Sequence, residues 1–566
     1  MSLRRLLSRL LLGLLPLAVT TTVYLYLYPV FSGCAYPLPF DNPKTSQSTS
    51  AFFHTLKQHL TPQSTFNQDP AIVRLLVLAD PQLEGDSSLP RPENELGARL
   101  QKYWNDTLES VNNTPFLANL DAWKTISAAL RSLVAQDIPR AFAAQRKRLD
   151  LLGNDYYLAH IYRTLHWWTR PTHVTVLGDL IGSQWVTDEE FRRRGDRYWQ
   201  RVFKGGERID DTITRTGKED YVEVAGVESD KELLPSSPSW AHRIINIVGN
   251  HDVGYSGDAS ERRISRFEKV FGRANWDIRL HHPPVGNLTP TLHLINLNSL
   301  TLDGPAYSQD IQSQGYAYIN SLLDRSYTVD DRSTFTLLLT HLPLHKPDGV
   351  CTDGPYFTYF EKDDESSKER YKAGGLREQN HLSEHVSSNG VLQGIFGMSG
   401  DETAPEGGRG RNGLILTGHD HTGCDVVHSI QKKPPSLAEN NEDAPPDEAN
   451  DDQPAWTWNT TRYNPNAQNH DQSFSPSIRE ITLRSMMGEY GGNAGLLSLW
   501  FDATTSEWKY AMTMCPAGVQ HIWWAVHVID LITLVVGILY ALVWVLGYFG
   551  SKLPSKRLVA ADKKMK

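Results

Sequence analysis

Apolar positions fall along this chain in three patterns. Two long runs, 10–31 and 522–549, are apolar nearly throughout and lie at the two ends. Between them, short runs of four to eight apolar residues recur at Ile72 to Ala79, His173 to Leu177, Ile244 to Val248, Leu292 to Leu297, Phe335 to Leu339 and Leu414 to Thr417. Runs of that length, closed by Gly or a polar residue, predict buried strands. The third pattern is helical. Residues 92–168 are predicted to be helix, interrupted near Thr114-Pro115 and Asp137-Ile138-Pro139, and 186–204 to be a charged helix. In the first of these, Trp123, Ile126, Leu130 and Leu133 repeat at helical spacing, which predicts a core-facing stripe. Alternation returns at 479–484, 496–501 and 507–513. Strands and helices interleaved in this way predict an α/β fold with parallel pairing.

The end runs change the picture from a soluble domain to a tethered one. Residues 10–31 follow Arg4, Arg5 and Arg9, carry no charge and have no small-residue cleavage site close behind, so they read as a retained signal anchor. Residues 522–549 hold only His527 and Asp530 as polar interruptions, with aromatics toward both ends, and read as a second transmembrane helix. The segments then run as a cytosolic stub at 1–9, a linker at 32–70, a catalytic body at 71–515 and a basic tail at 550–566. Basic residues flank both runs on the outer sides, which places both tails in the cytosol and the body in a lumen. Asn105-Asp106-Thr107, Asn112-Asn113-Thr114, Asn287-Leu288-Thr289 and Asn459-Thr460-Thr461 are glycosylation acceptors that agree with this. The chain ends Lys563-Lys564-Met565-Lys566, which resembles the dilysine signal for return to the endoplasmic reticulum by the COPI coat.

Across 566 residues the formal net charge is -9, and no basic stripe occurs in the central region. A nucleic-acid partner is therefore not expected. Residues 431–455 are acidic and Pro-rich and are expected to be a disordered insertion. The four cysteines contain no Cys-x-x-Cys and allow three pairings. Cys34 and Cys515 both lie just outside the end runs, and Cys351 and Cys424 both follow histidine-bearing strand ends, so these are the pairs expected.

The chemistry sits where the strands stop. The predicted strands end in Asp80-Pro81-Gln82, Gly178-Asp179, Gly249-Asn250-His251-Asp252, His341 and Gly418-His419-Asp420-His421. In α/β sheets ligands gather at the carboxyl ends of strands. Carboxylates, imidazoles and amide oxygens together suit manganese, iron or zinc rather than calcium. Two cations a few ångströms apart need a bridging anion, and Asp179, alone on its turn, is the expected bridge. His251 is expected to face the substrate as a general acid, with Asp252 holding its ring.

These motifs resemble the calcineurin-like metallophosphoesterases over about residues 72–430. The resemblance implies a four-layer sandwich, two mixed β-sheets flanked by helices. It also implies one divalent metal on Asp80, Gln82, Asp179 and His421, and a second on Asp179, Asn250, His341 and His419. Gln82 departs from the histidine that the family carries at its first motif. An amide oxygen is a harder donor than imidazole and tilts this position toward manganese. After Gly178-Asp179 the chain reads Leu-Ile-Gly-Ser, unlike the Val-Asp-Arg-Gly of the Ser/Thr protein phosphatases. With its end runs and its lysine tail, it is most similar to the endoplasmic-reticulum phosphoesterases that remodel GPI anchors. That likeness implies removal of an ethanolamine-phosphate branch from a mannose, on a GPI-anchored substrate in the same membrane. Two alternatives stand beside it: a phosphoesterase for another lipid-linked or nucleotide phosphodiester, and a metal-depleted scaffold or cargo adaptor.

Overall fold

The computed structural model describes residues 3–39, 51–62, 72–85, 89–112, 119–214, 238–362, 370–432, 456–464, 476–488 and 491–552. The acidic insertion from 433 onward and the lysine end lie outside the described residues.

The chain starts with helix α1 (Leu3–Phe31) and ends with helix α9 (Gln520–Lys552). Both are long and apolar enough to cross a membrane, and little of either is covered by protein, which suggests membrane association. They run antiparallel side by side. Thr22 Oγ1 donates to the Asp530 carboxylate at 3.0 Å, and Leu11 lies against Gly537. Asp530 thus has a hydroxyl partner where an unpaired polar group would be costly. At the root of the pair Cys34 and Cys515 form a disulfide, as expected, with Cα atoms 5.2 Å apart. The expected linker holds more structure than a tether needs. It contains helix α2 (Ala51–Leu60), and Tyr36 is fully buried against Arg74.

The body is a mixed α/β structure built on two sheets. The first runs β15 (Glu507–Gly518), β14 (Gly492–Asp502), β1 (Ile72–Leu78), β2 (His173–Val176), β4 (Arg243–Asn246), β3 (Glu207–Arg208). Here β1, β2 and β4 are parallel and β14 is antiparallel to β1. The second runs β12 (Trp456–Arg462), β11 (Cys424–Lys432), β13 (Ser477–Thr482), β10 (Gly413–Thr417), β7 (Thr334–Thr340), β6 (Thr291–Leu297), β5 (Trp276–His281). Its centre, β13-β10-β7-β6, is parallel.

Period-2 alternation sorts the side chains. Val73, Leu75 and Val77 of β1 pack with Phe335, Leu337 and Leu339 of β7 between the sheets. Leu76 and Leu78 point the other way, onto Tyr157, Ile161 and Leu165 of helix α5 (Ile138–Thr169). On the far side, Leu338 and Ile415 share a cluster with Tyr318, Ile319 and Leu322 of helix α8 (Gln309–Arg325). Helices α6 (Asp188–Arg197) and α7 (Glu261–Phe271) cover the first sheet through Phe191, Phe267 and Phe271.

The expected helical stretch between β1 and β2 is present; the interruption expected near Thr114-Pro115 lies outside the described residues, and that near Asp137-Ile138-Pro139 is a π turn within continuous helical backbone. It comprises α3 (Leu96–Asn112), α4 (Asn119–Ser132), a wide π turn at Leu133–Asp137, and α5. Its stripe is not core. Trp123 and Leu130 are 68% and 55% exposed and Ile126 and Leu133 are half-buried, because no element among the described residues covers that side of α4. His282, by contrast, is buried, with Nδ1 near the Pro283 carbonyl.

Candidate metal centre

Five strand ends meet in one cleft. The loop after β1 carries Asp80 and Gln82; that after β2 carries Asp179; a helical turn after β4, Asn250–Val253, carries Asn250, His251 and Asp252; the loops after β7 and β10 carry His341, and His419 with His421. Asp80, Gln82, Asp179 and His419 all adopt positive φ, between 42° and 71°. Non-glycine residues avoid this region unless the surroundings impose it, and such strain clusters at functional sites. Close approach of the loops depends on glycine. A Cβ on Gly249 would stand 2.0 Å from the Asp179 nitrogen, and one on Gly178, itself at φ 90°, 2.2 Å from the His341 ring.

The resulting geometry has a shared centre. Ligating atoms of Asp179, His341 and His419 lie within 4.8 Å of one another, and so do those of Asp80, Asp179 and His421. Asp179 belongs to both groups. Asn250 turns its amide oxygen to His341 Nε2 at 2.9 Å and to His419 Nδ1 at 3.1 Å. Gln82 Nε2 lies 3.1 Å from His421 Nε2 and donates to Asp179 at 3.2 Å. The side chains named for the two sets are thus brought together on either side of Asp179, with Gln82 presenting its amide nitrogen rather than its oxygen.

Elements outside the motifs fix the rings. The Leu177 carbonyl lies 2.8 Å from His341 Nδ1, and the Gln379 carbonyl 2.9 Å from His419 Nε2. Backbone contacts of this kind set a ligand histidine's tautomer and orientation. Gln379 comes from a small hairpin, β8 (Phe357–Tyr359) with β9 (Leu376–Gln379), that carries no motif. Ser485, in the glycine-rich segment after β13, donates its hydroxyl to the Asp80 carbonyl at 3.0 Å. That segment braces a ligand's backbone.

Asp252 does not hold the His251 ring. Its carboxylate accepts from the backbone N–H groups of Gly249, Leu180 and Ile181, at 2.8, 3.2 and 2.8 Å. It therefore clamps the Asp179 loop to the Asn250 turn. His251 donates its own N–H to Asp179 at 2.8 Å and leaves its ring part-exposed, with Nε2 3.8 Å from the same carboxylate. Asp420 faces away and receives Thr422, as its place between two ligands predicts. His345 lies edge-on to His381, 5.0 Å between ring centres. The second expected disulfide, Cys351–Cys424, is present beside the cleft.

The electrostatics fit cations. Asp80 and Asp179 are buried side by side, and neither pairs with a Lys or Arg among the described residues. Burial, then the charge of Asp179, pushes the Asp80 carboxyl well above the ordinary range. Asp80 Oδ2 has no hydrogen-bond partner among the described residues. Burial lowers His341 and takes His419 down to about 3, so both rings are neutral near pH 7 and keep a lone pair free. Paired buried carboxylates with neutral imidazoles and amide oxygens form a donor set for divalent metals. A cavity of about 370 Å³ opens over the centre, lined among others by His251, Tyr255, Trp185, Phe360, Arg377 and Glu378.

Comparison with known proteins places this geometry. No family profile matches the chain. Protein TED1 of Saccharomyces cerevisiae is 35% identical over 418 residues, covering 68% of this chain and 77% of that protein. Metallophosphoesterase 1 of Cricetulus griseus is 22% identical over 297 residues, 50% of this chain and 57% of its own. The chain belongs to the metallophosphoesterase family. An uncharacterized protein of Schizosaccharomyces pombe is a further relative, 26% identical over 432 residues, or 67% of this chain and 78% of its own. As a metallophosphoesterase, the chain has its candidate ligands at the strand ends where the motifs placed them.

Proposed function

We propose that the chain is a dimetal phosphodiesterase that removes an ethanolamine-phosphate branch from a mannose of the GPI-anchor glycan. The observation that carries the reading is Asp179, shared by two groups of ligating side chains. On this reading Asp80, Gln82, Asp179 and His421 hold one divalent cation, and Asp179, Asn250, His341 and His419 the other, manganese being favoured by the Gln82 amide. The pair would supply charge stabilisation to a phosphodiester and acidify water. The protein's own groups do the rest. His251, part-exposed at the cleft, hands a proton to the departing sugar oxygen. Asp252 keeps the Asp179 loop and the Asn250 turn in register. Tyr255 and Phe360 offer apolar faces to a sugar, and Glu378 offers a charge to the ethanolamine ammonium.

Sheets packed face to face with helices outside support the four-layer sandwich. Antiparallel terminal helices support a body held on one side of a membrane, which we assign to the endoplasmic-reticulum lumen with both termini cytosolic. The sequons, the lysine end and its COPI reading belong to the same proposal. The deciding measurement is mass spectrometry of GPI glycans from cells lacking the protein. Retained ethanolamine phosphate on a mannose is expected. An unchanged glycan would transfer the activity to another lipid-linked or nucleotide phosphodiester. A purified protein inert toward every phosphodiester with manganese would favour the scaffold.

A further inference from the structure

The β1–β2 crossover carries an arm with uncovered apolar lines. On α3, Leu100, Trp104 and Leu108 stand one turn apart on a single line and are 44–66% exposed. On α4 the line is Trp123 and Leu130, continued by Val134 in the π turn at 63% exposed. On α5 it is Phe142, Leu149 and Tyr156, seven residues apart and 73%, 60% and 45% exposed. A seven-residue step returns to nearly the same side of a helix. The π turn at Leu133–Asp137 takes up an extra residue, which keeps the lines of α4 and α5 in phase.

A polar cluster sits among the half-buried positions of α3 and α4, which also include Ile126 and Leu133. Tyr103 Oη donates to Asp137 Oδ2 at 2.6 Å and lies 2.8 Å from Ser132 Oγ, and Arg99 pairs with the buried Asp137 at 3.4 Å. A helical hairpin in water puts its apolar residues inside and its charges outside. This one leaves apolar lines uncovered beside exposed Lys102, Asp106, Lys124 and Arg140, the two-faced pattern suited to a boundary between water and an apolar medium.

Continuity says which medium. The later turns of α5 lie against the terminal helices near where these enter the body. Trp168 Nε1 donates to the Tyr26 carbonyl at 2.8 Å. His160 meets the Tyr26 ring edge-on at 5.1 Å. Trp524 packs so closely on Gly153 that a Cβ there would stand 1.7 Å from it, and Gln520 donates to Asn154 at 2.7 Å. Leu149 and Tyr156 stand one turn before Gly153 and His160, on the same side of α5. The exposed line therefore runs directly into the side that grips the membrane-spanning candidates.

We propose that α3, α4 and the first half of α5 form a monotopic arm that lies in the surface of the lipid bilayer, apolar lines down. Tryptophans at 104 and 123 suit the boundary between headgroups and acyl chains. Asn105 lies about 100° round the helix from Trp104, off the line, so a glycan there would stay in water. The arm turns a two-helix tether into a platform. Since α5 leads directly into β2, whose end bears Asp179, it also fixes the tilt of the cleft over the membrane. The inference stands apart from the chemistry of the metal centre.

The test uses the full-length protein in phosphatidylcholine nanodiscs. Nitroxide labels go on W123C, L130C and F142C, with D106C, on the opposite side of α3, as control. Collisions with oxygen, which partitions into lipid, are compared with those of a water-soluble nickel chelate. Labels at 123, 130 and 142 are expected to gain oxygen collisions and lose nickel collisions relative to 106. Nickel access equal to that at 106 would overturn the proposal. Shielding from both reagents would overturn it too, since it would mean a protein partner, a second copy included. Three independent label positions keep the test open if one variant folds poorly.

Discussion

Two buried acidic clusters lie near each other in the body and are solved in opposite ways. On β13, Glu480 is fully buried, accepts from Lys346 Nζ at 3.0 Å and lies 2.6 Å from His428 Nε2. Burial alone would raise it, but the Lys346 ammonium and the His428 contact bring it down to about 2. At the metal centre, Asp80 and Asp179 are as deeply buried, yet the protein supplies neither with a Lys or Arg among the described residues, and Asp80 is pushed up. The first cluster is electrically complete. The second has no Lys or Arg partner among the described residues, and its donor atoms suit divalent cations. A buried charge left without its counterion costs far more than fold stability requires, so the difference separates structure from function.

That contrast can be broken from either side. The largest effect is expected at Asp179. Loss of a hydrogen-bond partner behind a metal ligand already costs about 10–100-fold in activity or affinity, so Asp179→Ala, which removes the shared ligand, should cost more than about 100-fold. Phosphodiester hydrolysis with manganese checks this, with circular dichroism confirming the fold. Equal activity in the variant would dissolve the distinction between the clusters.

Glu480→Gln should do the opposite. Stripping the partner from buried Lys346 should destabilise by about 3–5 kcal/mol in denaturant titration while the surviving folded protein keeps its metal content. The pH dependence follows from the same pair. Glu480 titrates near 2 in the fold against an ordinary 4.5, so its stabilising share is present above about 4.5 and is lost as pH falls toward 2. In Glu480→Gln that part of the acid limb should flatten, which melting temperatures between pH 5 and pH 2 would reveal.

Chelation should touch only the metal centre. Removing cations present at about 100 times their dissociation constant should lower stability by about 2.7 kcal/mol in the wild type, and by less in Asp179→Ala. A similar loss in both would place the cations elsewhere. The smallest effect belongs to Asp420→Asn, which should shift stability by under about 0.5 kcal/mol and leave activity unchanged.

The meeting of the strand-end candidates was readable because each is tied to a local signal, an apolar run closed by Gly, Asp, Asn or His. Asp252 was readable as a member of the centre but not in its role, since which three N–H groups it would meet depends on how two loops fold together. The Gln379 carbonyl was not readable at all. Any residue can offer a carbonyl, and Gln379 lies 40 residues from His419 in sequence. The Trp123 stripe shows a different limit. Helical spacing reveals that a face is apolar and is silent on whether protein or lipid lies against it.

The bond between Cys34 and Cys515 spans 481 residues of chain, so the body is a covalent loop closed at the root of the two apolar terminal helices. A protease that nicks the body once, in any surface segment between those cysteines, would leave both fragments joined and both anchors in place. Such a cut would pass unseen on a non-reducing gel and would split the protein in two only after a thiol is added. Even an unfolded body would keep its two terminal helices as neighbours, tied at their root by that one bond.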